Sequence, residues 1–166
     1  MRSAAVLSLV LVAGCASAPP PTLDDIALRV AGEASPSCEA GHERALFDGS
    51  VTIRPGQTIC VTVQVEGHSV IPTAVVPSAD SGNTLVLKFW QEPGTGDSVL
   101  TVHNPLATFL SYKAHMLRAR SSRSEYTSSC PVLSKRFGLE HWPYAIAELK
   151  LSGFESLPES EMITCR

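Results

Sequence analysis

Between Thr58 and Val65 the chain alternates without a break. Ile59, Val61, Val63 and Val65 fall on every second position, with Thr58, Cys60, Thr62 and Gln64 between them. A helix turns 100° per residue and would scatter these four side chains around its circumference, whereas a strand puts all four on one face. The same period returns three times. Leu85, Leu87 and Phe89 alternate with Val86, Lys88 and Trp90, and Leu110, Tyr112, Ala114 and Met116 with Ser111, Lys113 and His115. Ala147, Leu149 and Leu151 alternate with Glu148, Lys150 and Ser152. Each pattern describes a half-buried strand with one face inward. Shorter strands are expected near Val51–Ile53, Val70–Val76 and Ser98–His103.

The breaks between these runs carry turn chemistry: Asp48-Gly49, Pro55-Gly56, Gly82-Asn83, Pro93 to Asp97 and Asn104-Pro105. Pro55-Gly56, between two strand patterns, predicts a type II turn. Strands at this spacing, with no amphipathic helices between them, resemble the immunoglobulin-like class in a general way. That resemblance implies a mainly β fold, an antiparallel two-sheet sandwich. Arg118 to Ser134 is the exception, a polar stretch expected to be one long loop or irregular arm tied down by Cys130. The segment before Cys38 reads two ways. Ile26, Leu28 and Val30 suit a first strand, and Leu23, Ile26, Ala27 and Val30 suit a short helix.

The start of the chain has a different character. Arg2 is followed by an apolar run from Ala4 to Val12, broken only by Ser8, and then by Leu11-Val12-Ala13-Gly14-Cys15. The run is shorter than the roughly 20 residues a spanning helix needs and has the proportions of an export signal. Its end resembles the lipobox of bacterial lipoproteins, in which small residues precede a cysteine. The resemblance covers residues 1–15. It implies that Cys15 is lipidated, that the bond before it is cut, and that the new amino group is acylated. The rival cut after Ala16-Ser17-Ala18 would leave Pro19 first, which ordinary signal peptidase generally refuses. The expected organisation is a signal peptide at 1–14, a lipidated cysteine and proline-rich tether at 15–22, and one domain at 23–166. The partner implied at this end is the lipid bilayer. Ala16 after the cysteine argues for the outer membrane, facing the periplasm or the surface. Pro19-Pro20-Pro21 would act as a semi-rigid spacer.

Setting Cys15 aside leaves Cys38, Cys60, Cys130 and Cys165. An even number in an exported domain reads as disulfides. Of the three pairings, Cys38–Cys60 with Cys130–Cys165 is favoured because both close short loops, each contributing roughly 3–4 kcal/mol by loop-closure entropy. The cysteines are scattered singly with no CxxC spacing, so no metal site and no cofactor is expected.

Net charge is −3, and loss of Arg2 with the signal makes the mature chain slightly more acidic. A nucleic-acid partner would call for a basic excess and is not expected. Motifs for catalysis fail on inspection. His42-Glu43-Arg44-Ala45-Leu46 has half of a zinc-protease motif, with Leu46 where the second histidine belongs. Gly67-His68-Ser69-Val70-Ile71 starts like a nucleophile elbow and lacks the closing glycine. His115 beside Met116 could not share a metal ion, since neighbours on a strand point to opposite faces.

Two clusters are left as candidate binding residues. Lys113, Arg118, Arg120 and Arg123 would suit an anionic envelope component or partner. Glu140-His141-Trp142-Pro143-Tyr144, read as a loop, would expose His141, Trp142 and Tyr144 to an envelope protein. The expectation is a membrane-anchored, non-enzymatic binding or structural module. One alternative is an envelope hydrolase assembling His141, Glu140 and Ser128 or Ser129 in the fold. The other is an inhibitor or chaperone of an exported protein, acting through the Trp142 loop.

Overall fold

The computed structural model describes residues 38, 43–79, 82–158, 164 and 165. The lipobox with Cys15, the tri-proline spacer, the segment around Ile26–Val30 and His42 lie outside the described residues. Among the described residues, a single 3-10 turn at Glu43–Ala45 precedes ten strands. They are β1 (Leu46–Phe47), β2 (Ser50–Ile53), β3 (Gln57–Glu66), β4 (Ser69–Val76), β5 (Thr84–Gln91), β6 (Ser98–His103), β7 (Phe109–Arg118), β8 (Ser124–Thr127), β9 (Phe137–Trp142) and β10 (Ile146–Leu157).

The mainly β character expected from the alternation is what the chain adopts. All pairings are antiparallel, and the hydrogen bonding is continuous through one open sheet in the order β1-β2-β10-β4-β3-β5-β6-β9, with β7 on β10 and β8 on β7. β10 makes this continuity. It pairs with β2 through Leu149–Leu151, with β7 along most of its length, and with β4 at Glu155 opposite Ser69. A register shift between Ser152 and Glu155 lets it pass from one neighbour to the next. Gly153 sits in that bulge at φ +57, a conformation in which a side chain would be strained. The bulge also changes which parity faces inward, from Leu149 and Leu151 to Phe154 and Ser156.

The inward side chains build one core. β2 gives Val51 and Ile53, β3 gives Ile59, Val61 and Val63, and β5 gives Leu85, Leu87 and Phe89. Leu100 and Val102 come from β6, Leu110, Tyr112, Ala114 and Met116 from β7, and Leu149, Leu151 and Phe154 from β10. Two expected inward positions depart from this. Val65 is exposed because the β3–β4 hairpin runs past the core. Ala147 is exposed because a bulge between Ile146 and Glu148 hands the inward position to Ile146.

The turns fold as their residues dictate. Asp48 and Gly49, at φ 48° and 65°, make the two-residue mirror-type turn that suits twisted strands. At Arg54-Pro55-Gly56-Gln57 the Gln57 amide donates to Arg54 O at 3.1 Å with Gly56 at φ +88, the type II turn expected. Both disulfides form as paired from loop length, Cys38–Cys60 and Cys130–Cys165.

The expectation of a long polar loop or irregular arm from Arg118 to Ser134 is corrected in part. β8 lies within it, paired with β7 from Ala114–Thr127 to Leu117–Ser124. Val132 then bridges Leu110 in both directions, N–H to O at 2.8 and 2.9 Å. Glu140 to Trp142, expected in a loop, belong to β9, which pairs with β6. Gly138 makes this packing possible. A Cβ there would lie 2.6 Å from a methyl of Val132.

Candidate functional site

Four turns collect at one end of the sheet: β2–β3, β5–β6, β7–β8 and β9–β10. Ser98 ties two of them together. Its hydroxyl donates to Tyr144 O and accepts from the Ile146 amide, both at 2.9 Å. Gln91 Nε2 donates to Ile146 O at 3.1 Å, and the Ala119 amide to Ala145 O at 3.4 Å. Arg54 reaches Glu148 Oε2 from the β2–β3 turn at 2.8 Å.

At this end the two sequence clusters meet. The Arg118 guanidinium lies over the Tyr144 ring, 4.4 Å from its centroid, and its Nε is 3.4 Å from Glu125 Oε2. The Tyr144 hydroxyl donates in turn to Met116 Sδ at 3.7 Å. Arg120 and Arg123 are exposed in the β7–β8 turn. Arg120 takes φ +70, and Ser121 Oγ accepts from the Arg123 amide at 3.1 Å, closing the turn on itself. Three arginines and a tyrosine therefore share one rim. Guanidinium groups present planar paired donors that match carboxylate or phosphate oxygens.

Lys113 does not join them. It stands five residues back along β7, roughly 17 Å at strand rise, with its stem against Gly153. There it shares a polar face with His115, which lies opposite Lys150 on β10 and edge-on to Tyr126 on β8 at 5.5 Å.

The aromatic half of the reading needs correcting at Trp142. Its ring is only 7% exposed, inside the core, and Nε1 donates to Thr127 Oγ1 at 2.9 Å. The surface expected from His141, Trp142 and Tyr144 together is thus divided. His141 points the opposite way from Trp142, as strand neighbours must, and its Nε2 is 2.9 Å from Asp97 Oδ2. Tyr144 stays with Arg118.

The hydrolase candidates are likewise separated. Glu140 shares the inner face of β9 with Trp142, and its Oε1 accepts the Cys130 amide at 2.7 Å. Burial raises the Glu140 pKa, against the pull of that amide. The Tyr112 hydroxyl lies beside this carboxylate, buried and without a well-formed hydrogen bond. Burial, and then the Glu140 charge, push its pKa well above the ordinary phenol value. Ser129 Oγ, also buried, donates to Tyr112 O at 2.6 Å, and Ser128 is exposed. Glu140 and Ser129 converge on Tyr112, while His141 sits on the other side of the strand.

Three partnerships carried no signal in the sequence: Asp97 with His141, Thr127 with Trp142, and Tyr112 with Glu140. Each joins residues on different elements, between 15 and 44 positions apart in the chain. Among the described residues no three His, Cys, Asp or Glu side chains gather into a metal-binding group. Compared with protein-family models, curated proteins and solved structures, the chain matches none.

Proposed function

We propose that this chain is a lipid-anchored cell-envelope protein whose domain binds an anionic envelope component and does not catalyse. The anchor reading rests on the lipobox residues ending in Cys15, and the outer membrane on Ala16. In this reading the domain is an immunoglobulin-like two-sheet sandwich, with β2, β10, β7 and β8 facing β4, β3, β5, β6 and β9. The single core shared by side chains from both sets supports it. The binding end is the rim of turns, as in sandwiches whose loops cluster at one end.

The observation that carries the binding reading is Arg118 lying on Tyr144 at 4.4 Å. It joins the arginine-bearing turn to the aromatic turn as one surface. A hydrolase would need nucleophile, base and acid within hydrogen-bond reach, and His141 faces away from Glu140 and Ser129.

The test is a photo-crosslinking amino acid introduced at position 120 of the lipidated protein in intact cells. Capture of an envelope component that is lost in Arg118→Ala/Arg123→Ala, and that falls as salt rises because exposed charges are screened beyond about 8 Å, supports the reading. Equal capture from a control position at Gly67, at the far end of the β3–β4 hairpin, overturns it. A hydrolytic activity of the lipidated protein that His141→Ala abolishes would establish the enzyme alternative. Lipidation is tested separately, by mass spectrometry of the mature N-terminus. A chain beginning at Pro19 would defeat the anchor.

A further inference from the structure

Among the described residues three strands end the sheet: β1, β8 and β9. An edge strand presents unpaired backbone groups, and proteins blunt such edges by keeping them short or charged. β1 is two residues long, and β8 is Ser124-Glu125-Tyr126-Thr127, short and carrying a carboxylate. β9 is six residues long, without proline or lysine, and shows Phe137 and Leu139 to solvent at 48% and 37%. The neighbouring β6 has its outward Val99 and Thr101 buried at 0% and 4%. At this end of the sheet the open apolar surface therefore belongs to the edge strand itself.

The backbone phase of that edge is fixed. The Asn104 amide donates to Arg136 O at 2.9 Å, and the same register continues through Val102↔Gly138, Leu100↔Glu140 and Ser98↔Trp142. In an antiparallel ladder the residues between such pairs turn their N–H and C=O the other way. Those of Phe137, Leu139 and His141 point off the sheet, and they meet no backbone partner among the described residues. The segment packed under β9 does not use them. Val132, beneath Gly138, exchanges its hydrogen bonds with Leu110, and the Cys130 amide goes to the Glu140 side chain.

This edge is its own complement. A twofold axis through Leu139 sets Leu139 against Leu139 of a second copy and Phe137 against His141. It matches the outward donors to outward acceptors in about six hydrogen bonds. Charge selects the antiparallel sense. Lys135 and Arg136 precede the strand, while Asp97 lies at its other end, 2.9 Å from His141 Nε2. Antiparallel pairing brings the basic end of one copy to the acidic end of the other, whereas parallel pairing would put like beside like. The His103 ring, 4.6 Å from that of Phe137, already holds Phe137 on the outer side.

We infer that two copies of this chain pair edge to edge through β9, antiparallel about Leu139, so that their sheets become continuous. An interface of this length is small, and the expected dissociation constant is about 10–100 µM. The arginines of the rim stand on other strands and turns, so self-pairing holds whether or not the rim binds an anion.

The test uses the mature chain, produced without lipid and with both disulfides intact, in sedimentation velocity from about 1 to about 500 µM. A monomer–dimer equilibrium is expected, weakened at least about tenfold by Leu139→Lys, which puts like charges together at the axis. Urea unfolding of that variant at high dilution should match wild type, because Leu139 is exposed and its backbone bonds face outward. Register is read by cysteine crosslinking. In Leu139→Cys the two cysteines lie about 5.5 Å apart at Cα and should oxidise to a covalent dimer. In Phe137→Cys they lie roughly 14 Å apart and should not. A monomer at every concentration overturns the inference, as does a covalent dimer that forms equally fast from Phe137→Cys. So does Leu139→Cys in intact cells if it crosslinks only to other proteins, since a foreign strand would then be what occupies the edge.

Discussion

The two faces of β9 invert the usual rule. Its inner face carries Gly138, Glu140 and Trp142, and its outer face carries Phe137, Leu139 and His141. A carboxylate and an indole N–H lie on the inner side, while two large apolar side chains stand beside His141 on the outer one, exposed at 48% and 37%. The inner groups are tolerated because each is partnered. Trp142 has Thr127, Glu140 has the Cys130 amide, and Gly138 gives way to Val132. The cost of burying a polar group is recovered when it is hydrogen-bonded. The comparison teaches that burial on this strand is set by what the 127–132 segment brings to it, rather than by the hydropathy of its own residues.

That comparison can be broken most forcefully at Trp142. Trp142→Ala removes a core ring and orphans Thr127, and it is expected to cost about 3–5 kcal/mol in urea unfolding. A loss under about 1 kcal/mol would mean the inner face is not structural. Next is Val99 on the neighbouring strand. If the outer face is covered, Val99→Ala should cost about 2 kcal/mol, much like Val102→Ala on the core side of β6. A change within about 0.5 kcal/mol would leave the outer face bare.

Glu140 makes a gentler test through pH. Its pKa is raised in the fold, so the native state holds the proton more tightly than the unfolded chain does. The stability this lends is whole below the ordinary glutamate value and is lost as pH rises through the raised one. Glu140→Gln keeps an acceptor for the Cys130 amide and should flatten that part of the stability–pH curve. Denaturant midpoints with an unchanged pH slope would show that Glu140 ionises as freely folded as unfolded. The smallest effect is expected at Phe137. Phe137→Ser on the margin should move stability by no more than about 0.5 kcal/mol.

Most of the core strands were legible because their apolar residues recur every second position over five or more residues. β3, β5 and β7 need nothing else. β8 was not legible, since Ser124-Glu125-Tyr126-Thr127 buries only Thr127. β9 was illegible for the reason its faces are inverted: a search for apolar inward positions reads Phe137 and Leu139 as the core side. Bulges set a further limit. The inward phase of β10 slips at Ala147, which no local pattern marks, and again at Gly153, where the glycine within the strand is the one local sign. Of the candidate site, the arginines and Tyr144 were visible as residue types. Their meeting was not, because it requires the β7–β8 and β9–β10 turns to land side by side.

β10 also bears on when the fold can close. Its partner β2 lies nearly a hundred residues upstream, and β10 is the last strand among the described residues. Pairing this distant in sequence is slow to form, because the loop must close before the contact contributes. No closed core is available before β10 has been made. Until the last strand is free, the valine-rich β3 and its hairpin partners have bare edges, the exposure that invites aggregation. If the chain is exported as proposed, late closure would keep it threadable on the way and leave a window in which a holdase would be needed.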